Sequence, residues 1–396
     1  MQKPINNNFK THDLILISII HHLHDIYTSF LAPLLPLLIE KLAINYTMVS
    51  FLSVAQRIPS LLNPIIGIMA DKFKVRYFIV IAPAITALSM SLIGVAPGYP
   101  FLLVILFISG ISSTLFHVPT PVLVKKLSGN KIGKGMSYFM LGGELARTIG
   151  PLVILGVVSI WKLEGSYRLF PLGIVASIIL YLKLRKIELR KDFESAKIDI
   201  KLWDTFKSFM PVFITMAGIT FFRGAMKSAL TLFLPIFIKD QGNSLWFAGI
   251  SLSVLQLAGA FGTFIAGPIS DKIGRKNTLL ISAIITPLMM FIFINTQGLL
   301  VLIVLIFCGI FLFFPGPVML AAVHDFDTKR GSFVNGIYFG MNFILNSITV
   351  FLVGYFSDKF GLENVYRFSI IWALLTIPFI LRFKENNKEM KTISKN

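Results

Sequence analysis

The feature that most constrains this chain is a series of twelve long apolar runs, separated by short polar segments. Each run has roughly 20 residues, the length that an α-helix needs to cross the hydrocarbon core of a bilayer. Only 14% of the 396 residues are charged and 55% are apolar, so the chain lacks the charges that cover a soluble protein. We therefore predict an all-α polytopic membrane protein. The predicted spans are residues 12–39, 46–70, 75–95, 99–124, 133–160, 166–186, 206–238, 245–269, 276–296, 299–322, 331–357 and 366–383.

A polar stretch midway along the chain, Lys183 to Lys207, separates six predicted spans from six. The two halves share a motif at an offset of about 200 residues: Gly67 to Lys72 follows the second span, and Gly267 to Lys272 follows the eighth. A parallel repeat of this kind predicts two pseudo-symmetric six-helix bundles with a solute site between them. The predicted domains are residues 1–186, a cytoplasmic linker at 187–205, and residues 206–396 with a short cytoplasmic tail.

The net charge of +18 reflects where the basic residues lie. Most of the Lys and Arg residues are in the two tails and in every second loop, as the positive-inside rule requires of cytoplasmic segments. The charge therefore indicates orientation and not nucleic-acid binding. We expect a multi-pass protein of a bacterial-type inner membrane, with both termini in the cytoplasm. Its expected partners are membrane lipid, protons and a small-molecule substrate, and it is expected to act as a monomer.

Charged side chains inside the spans are functional candidates, because each costs at least about 2–3 kcal/mol on the most lenient insertion scale. Arg223 and Lys227 lie one helical turn apart on the seventh span, which contains no carboxylate of its own. Together with Arg57 they could line a central cavity and bind an anionic group such as a phosphonate or carboxylate. Alternatively, they pair with a carboxylate of the other half in one conformation. The predicted substrate-binding residues are Gln56, Arg57, Arg147, Arg223 and Lys227.

His21 and Asp25 are four residues apart on one face of the first span and can pair directly. A carboxylate inside the membrane, beside a titratable partner, suits a proton carrier. A structural bond that locks the first span is a second interpretation, and a metal site formed by His21, His24, Asp25 and His117 is a third. The predicted proton-coupling residues are His21, Asp25, His117 and Glu144.

Glu144 and Arg147 are three residues apart on the fifth span and are expected to neutralise each other. Such a pair can also open when a proton or a substrate competes for one partner. Glu144 is therefore a candidate proton carrier and Arg147 a candidate substrate ligand, beside the interpretation that the pair is purely structural.

The segment from Gly267 to Lys276 resembles the loop signature of the major facilitator superfamily, at its expected place between spans eight and nine. The copy in the first half is degraded, because Lys74 stands where the glycine would be. The resemblance implies the major facilitator fold, with twelve transmembrane helices in two bundles. His324, Asp325 and Asp327 end span ten, and Lys329 and Arg330 follow them. These residues are expected to form a solvated inner loop whose salt bridges lock the inward gate. The predicted gating-loop residues are Gly67, Asp71, Gly267, Asp271 and Arg275.

Four further motifs are spread over most of the chain: His21-x-x-x-Asp25, Phe116-His117, Gly142-Gly143, and Arg223 followed by Phe233-Leu234-Pro235. They resemble patterns of the fosmidomycin-resistance family of efflux transporters. Two positions depart from that family. Val118-Pro119-Thr120 follows His117, so the family's glutamate is missing there, and Glu144 stands where the family has an asparagine-like residue. Either a carboxylate has moved from span four to span five, or the substrate differs.

These features together predict a secondary active transporter that exports a small anionic or amphiphilic compound by proton-coupled antiport. The proton gradient would drive it, and no cofactor is expected. The alternatives are an uptake symporter for an organic anion, and an exporter of divalent metal ions that uses the His and Asp cluster of the first helix. An enzyme is disfavoured, because the spans contain no nucleophile–base pair, phosphate-binding loop or cofactor motif.

Overall fold

A computed structural model of the chain describes residues 9–63, 66, 76–129, 131–185, 202–325 and 331–383. All regular secondary structure within these ranges is helical. Eleven helical stretches in the described part are long and apolar enough to cross a membrane, and each matches a predicted span. The remaining predicted span, 46–70, is described only in part, as Tyr46–Arg57 followed by a short 3₁₀ segment. The prediction of a polytopic all-α membrane protein is confirmed.

Several predicted spans consist of two consecutive helices. The α-helices are α1 Thr11–Thr28, α2 Leu31–Leu42, α3 Tyr46–Arg57, α4 Arg76–Ser91, α5 Tyr99–His117, α6 Thr120–Ser128, α7 Ile132–Trp161, α8 Phe170–Leu184, α9 Leu202–Ser228, α10 Leu234–Asp240, α11 Leu245–Ile273, α12 Arg275–Ile294, α13 Leu300–Phe313, α14 Pro315–His324, α15 Gly331–Phe360, α16 Leu362–Leu374 and α17 Thr376–Arg382. Three 3₁₀ segments, Ile58–Leu62, Leu92–Val95 and Leu163–Leu169, and a π turn, Ala229–Phe233, complete the described helical structure.

Proline explains three of the breaks. A proline has no N–H for the carbonyl four residues earlier, and its ring crowds that carbonyl. Pro33 acts in this way on Ser29, between α1 and α2. Pro235 does the same to Thr231, which lies inside the π turn that joins α9 to α10. Pro315 occupies the first position of α14, where a missing N–H is harmless.

By its internal contacts the chain forms two compact units, which we call unit 1 and unit 2. Unit 1 is Met1–Lys197 with Pro235–Ser253, and unit 2 is Ile198–Leu234 with Val254–Asn396. The division therefore falls within the seventh span, directly after the π turn. The domain limits predicted from the sequence, at the central linker, stay a prediction.

In unit 1 the first span packs closely against α7, because glycines of α7 face it. A Cβ on Gly142 would lie 2.5 Å from the carbonyl oxygen of Ser18, and one on Gly150 would lie 1.8 Å from Oγ of Ser29. Small residues at such positions let membrane helices approach each other. The buried core beside this contact is formed by α1, α4, α5, α6, α7 and α8.

Residues 235–253 join unit 1 through contacts with its helices α3 and α7. The hydroxyl of Tyr46 donates to Oδ2 of Asp240 over 3.1 Å. Gly249 sits against Leu155 so closely that a Cβ on the glycine would lie 2.2 Å from Cδ1 of the leucine. This piece of the second half of the sequence is thus an integral part of unit 1.

Unit 2 has a core of its own, in which α9 packs on α15 in the way that α1 packs on α7. Gly224 of α9 allows the contact, since a Cβ there would lie 2.7 Å from Oγ1 of Thr349. Gly262 similarly lets α11 approach α13, at 2.2 Å from the carbonyl oxygen of Ile310. Each unit therefore uses glycine where two of its helices meet.

Candidate functional site

Asp25 lies near the end of α1 with its carboxylate among three imidazole rings. Its Oδ1 is 2.9 Å from Nδ1 of His24 and 3.0 Å from Nε2 of His117, and its Oδ2 is 3.2 Å from Nε2 of His21. Asp25, His21 and His24 are at most 5% exposed, whereas the side chain of His117 is 36% exposed. We call these four residues the Asp25 hub. His117 is its exposed member.

Aromatic rings and one glycine hold the hub in place. His24 stacks on Phe116 with the ring centroids 4.5 Å apart, and His21 stacks on Phe139 at 3.9 Å. A Cβ on Gly143 would lie 2.8 Å from Cε1 of His21. The Phe116-His117 pair and the second glycine of Gly142-Gly143 thus both serve this one site.

The proton positions on His21 follow from its partners. Its Nδ1 lies 2.7 Å from the carbonyl oxygen of Phe139, which can only accept, so Nδ1 carries a hydrogen and donates. A neutral ring then presents a bare lone pair at Nε2, toward Oδ2 of Asp25. Nε2 is buried and makes no well-aligned hydrogen bond. A neutral His21 therefore cannot satisfy an ionised Asp25.

The same argument applies to His24, through two hydroxyl groups. Ser112 donates to the carbonyl oxygen of Ala82, and Thr86 donates to Ser112, both over 2.7 Å. Thr86 has then used its hydrogen, so its Oγ1 accepts from Nε2 of His24 at 3.0 Å. Nδ1 of a neutral His24 would consequently turn a lone pair toward Asp25.

The two contacts together fix a proton count. With Asp25 ionised and His21 and His24 neutral, two pairs of acceptors would face each other in a buried site, which is unfavourable. Each contact becomes a hydrogen bond when one proton occupies it, on either partner. His117 needs no additional proton, because its neutral ring can donate from Nε2. The Asp25 hub is therefore built to hold two protons.

The other charged candidates of unit 1 lie on α3 and α7. Arg147 is hydrogen-bonded to Glu144, and both side chains are partly exposed. Arg57 is exposed and close enough to Arg147 for their charges to repel, but no hydrogen bond or ion pair of Arg57 occurs among the described residues. Gln56 donates to the carbonyl oxygen of Thr28 over 3.0 Å. Of these two arginines, Arg147 has a carboxylate partner, and Arg57 has none among the described residues.

The two cations of the seventh span both lie at the end of α13. Nη2 of Arg223 donates to the carbonyl oxygen of Leu312 over 2.5 Å, and Nζ of Lys227 lies 5.8 Å from the ring centre of Phe313. They share one face of α9, as their spacing predicted. Arg223 also lines a small cavity inside unit 2.

The predicted gating loop of unit 2 is held by one arginine. Arg275 is bonded to Asp271 and, over 3.1 Å, to Asp325 at the end of α14. No described residue comes within 4 Å of a Cβ built on Gly267. The corresponding residues of the first half, Gly67 and Asp71, lie outside the described residues.

The hub also meets the first requirement of a metal site. Ligand atoms of His21, Asp25 and His117 lie within 4.8 Å of one another. His24, the fourth residue of the predicted set, already has a hydrogen-bond partner at each ring nitrogen. Two imidazoles and a carboxylate are a ligand set that Zn²⁺ accepts in proteins.

The residues that bond the far ring nitrogens of His21 and His24, and so orient the two rings, were not predicted from the sequence. Thr86, Ser112 and Phe139 were not singled out, although they decide where the protons lie. Single hydroxyl groups are common in transmembrane helices, and a backbone carbonyl leaves no trace in a sequence. The pairing of Thr86 with Ser112 across two spans becomes visible only when the spans are packed.

Comparison with known proteins identifies relatives along nearly the whole chain. The model of the Major Facilitator Superfamily matches residues 17–348. The fosmidomycin resistance protein of Escherichia coli (strain K12) is 24% identical over 372 residues, which cover 91% of this chain and 89% of the relative. The multi-drug resistance efflux pump PmrA of Streptococcus pneumoniae is 21% identical over 274 residues, 64% of this chain and 66% of that protein.

A solved structure shares the fold. It is that of a bacterial homolog to the human lysosomal transporter Spinster, in an inward-facing and unoccupied conformation. The TM-score is 0.77 at 16% sequence identity, with 96% of this chain and 98% of the other covered. At this identity the likeness concerns the fold alone.

Proposed function

This chain belongs to the Major Facilitator Superfamily, and we propose that it exports a small anionic or amphiphilic compound in exchange for protons. Members of this family are membrane transporters of small molecules and not enzymes, and the relatives include proteins named for efflux and resistance. The coupling ion, the direction and the class of substrate are the proposed parts.

The observation that carries the proposal is the proton count of the Asp25 hub. Hydrogen-bond partners fix Nδ1 of His21 and Nε2 of His24 as donors, so the carboxylate and the two rings require two shared protons. Intramembrane carboxylate and histidine chains are the usual proton relays of pumps and transporters. We propose that Asp25 and His21 carry the proton, that His117 passes it to and from the surroundings, and that Glu144 is a second carrier.

The proposed substrate ligands in unit 1 are cationic. Arg57 lacks a carboxylate among the described residues and repels Arg147. An anionic group placed between them would relieve this repulsion, and arginine binds phosphonates and carboxylates through two parallel hydrogen bonds. Glu144 would release Arg147 when it takes up a proton, which links substrate binding to the proton. Lys227 and Gln56 are proposed as further contacts.

We also propose an orientation and a gate. Both termini face the cytoplasm of a bacterial-type inner membrane, since the tails and alternate loops hold most of the basic residues. The cytoplasmic loops around Asp71 and Asp271 would then regulate opening on that side, and the bonds of Arg275 to Asp271 and Asp325 would stabilise one conformation.

The proposal is tested in proteoliposomes that contain the purified full chain. Fosmidomycin, a phosphonate, is the probe, because a relative is named for resistance to it. Its transport is measured with and without an imposed pH gradient. We expect movement of the probe to follow the proton gradient in the antiport direction, and Asp25→Asn to reduce gradient-driven transport by at least about 100-fold.

Asp13→Asn is the matched control, because Asp13 lies in the first turn of the same helix, away from the hub. This variant should transport as the natural chain does. Unchanged gradient-driven transport by Asp25→Asn would refute the proton role. Symport of the probe with protons would instead establish the uptake alternative.

A divalent metal ion is a second candidate substrate, favoured by the ligand atoms of His21, Asp25 and His117 that lie within 4.8 Å of one another. Titration calorimetry with Zn²⁺ on the natural chain and on two variants tests whether the cluster binds a metal ion. Binding that disappears in His21→Ala and His117→Ala would support a metal exporter, and the absence of binding heat in the natural chain would exclude it.

A further inference from the structure

A small cavity inside unit 2 combines a cation with hydroxyl groups that lack partners. Its lining includes Arg223 of α9, Ser282 and Thr286 of α12, Leu312 of α13 and Thr376 of α17. The volume of the cavity is about 20 Å³. Such a space holds one water molecule or one monatomic ion. An organic substrate does not fit into it.

The guanidinium group that lines this cavity is only partly satisfied. Arg223 has five N–H donors and a permanent charge. One nitrogen, Nη2, donates to the carbonyl oxygen of Leu312, which accepts a hydrogen bond but carries no charge. In the described part of the chain no carboxylate pairs with it, and the titratable side chain that faces it is Tyr338. The cation therefore has no counter-ion among the residues that the structure describes.

Two hydroxyl groups point to a ligand independently of the arginine. Thr286 is 5% exposed and Thr376 is 3% exposed, and Oγ1 of each is buried without a hydrogen-bond partner among the described residues. Ser282, on the same lining, donates to the carbonyl oxygen of Phe311 over 2.7 Å. Buried hydroxyls without partners are unusual in folded proteins. Their O–H groups are available as donors.

We propose that this cavity binds a chloride-sized inorganic anion, held by Arg223 and the hydroxyl groups of Thr286 and Thr376. All three groups can donate hydrogen bonds to the anion, and the arginine adds the opposite charge. The remaining lining is mostly apolar, which strengthens the attraction by excluding water. A water molecule would satisfy the hydroxyls but would leave the charge unpaired. None of the residues that hold the anion belongs to the Asp25 hub.

Thermal unfolding of the purified full chain in detergent tests the proposal. Sodium gluconate is replaced stepwise by sodium chloride at constant ionic strength. An ion that binds only the folded state raises the unfolding midpoint in a concentration-dependent manner. We expect chloride and bromide to raise the midpoint and sulfate, which is too large for the cavity, to leave it unchanged.

Variants locate the effect in the cavity. Arg223→Gln should abolish the chloride-dependent rise. Thr286→Val with Thr376→Val keeps the side-chain shapes and should shift half-saturation to about tenfold higher chloride. Arg367→Gln is the matched control, because Arg367 lies on α16 in the same unit, is exposed and pairs with Glu363. It should respond to chloride as the natural chain does.

Three results would overturn the proposal: a midpoint that does not respond to chloride, an equal response to sulfate, or an unchanged response in Arg223→Gln. If that variant fails to fold, the double threonine variant decides by its half-saturation. Crystals grown in sodium bromide provide a direct measurement. We expect an anomalous bromine peak between Arg223 and Thr286, and its absence at saturating bromide would refute the site.

Discussion

The two units surround a charge within the membrane-spanning helices in opposite ways. In unit 1 the carboxylate of Asp25 faces three imidazole rings. When all three rings are neutral, only His117 can donate a hydrogen bond to it. In unit 2 the guanidinium of Arg223 has a carbonyl oxygen and no counter-ion among the described residues. An excess of titratable partners suits a group that exchanges protons. A fixed cation whose described partner is an uncharged carbonyl oxygen suits the binding of an anion.

The largest expected difference between the units is in the loss of stability when Asp25 or Arg223 is replaced by an apolar residue. Asp25→Leu leaves three imidazoles without their acceptor and should destabilise the protein by about 3–5 kcal/mol. Arg223→Met removes a cation that has no counter-ion in the described part of the chain and, in chloride-free buffer, should change stability by no more than about 1 kcal/mol. Thermal unfolding in detergent measures both. Equal losses for the two variants would contradict the comparison.

The close approach of α1 and α7 positions the Asp25 hub, and it depends on Gly142. The second largest loss of stability is therefore expected when Gly142 is replaced. A Cβ on Gly142 would lie 2.5 Å from the carbonyl oxygen of Ser18. A backbone atom cannot rotate away from such a clash as a side chain can. Gly142→Ala should lower stability by about 2–3 kcal/mol and reduce transport.

Gly340→Ala is the control for this substitution. No described residue lies within 4 Å of a Cβ built on Gly340, in the interior of α15. Alanine is a better helix former there and should raise stability by up to about 1 kcal/mol. A similar loss of stability in both glycine variants would show that the contact with α1 is unimportant.

A pair of Thr→Val substitutions gives the smallest and sharpest contrast. Thr86→Val removes the acceptor of Nε2 of His24 and should destabilise by about 1–2 kcal/mol. Thr286→Val removes a hydroxyl that has no partner among the described residues, so in chloride-free buffer it should be neutral or stabilising. The unfolding midpoints of the two variants, compared in gluconate, are the measurement. The reverse order would mean that the hydroxyl networks are assigned wrongly.

Much of the fold could be predicted from the sequence because membrane helices obey simple rules. Span length and the halves of the repeat follow from apolar runs and from one recurring motif. The contact of His21 with Asp25 follows from helical spacing. A close approach of two helices also left a mark in the Gly142-Gly143 pair, because glycine lets another helix come near.

What escaped sequence reasoning depends on packing between distant segments. The hydroxyl groups of Thr86 and Ser112, on α4 and α5, orient the ring of His24 through hydrogen bonds between different spans. The central cavity expected to hold Arg223 and Arg57 stays a prediction. Within unit 2, Nη2 of Arg223 donates to a carbonyl oxygen of α13, and Thr286 and Thr376 line the same small cavity. A carbonyl and a hydroxyl are present in every apolar helix, so neither distinguishes this position in a sequence.

The π turn at Ala229–Phe233 marks the point where one transmembrane span passes from unit 2 to unit 1. Residues 235–253 are encoded after the central linker but complete the unit formed by the first half. A first half expressed from its own gene would lack the segment that covers Leu155 and bonds to Tyr46. Unit 1 is therefore built from residues of both halves of the sequence.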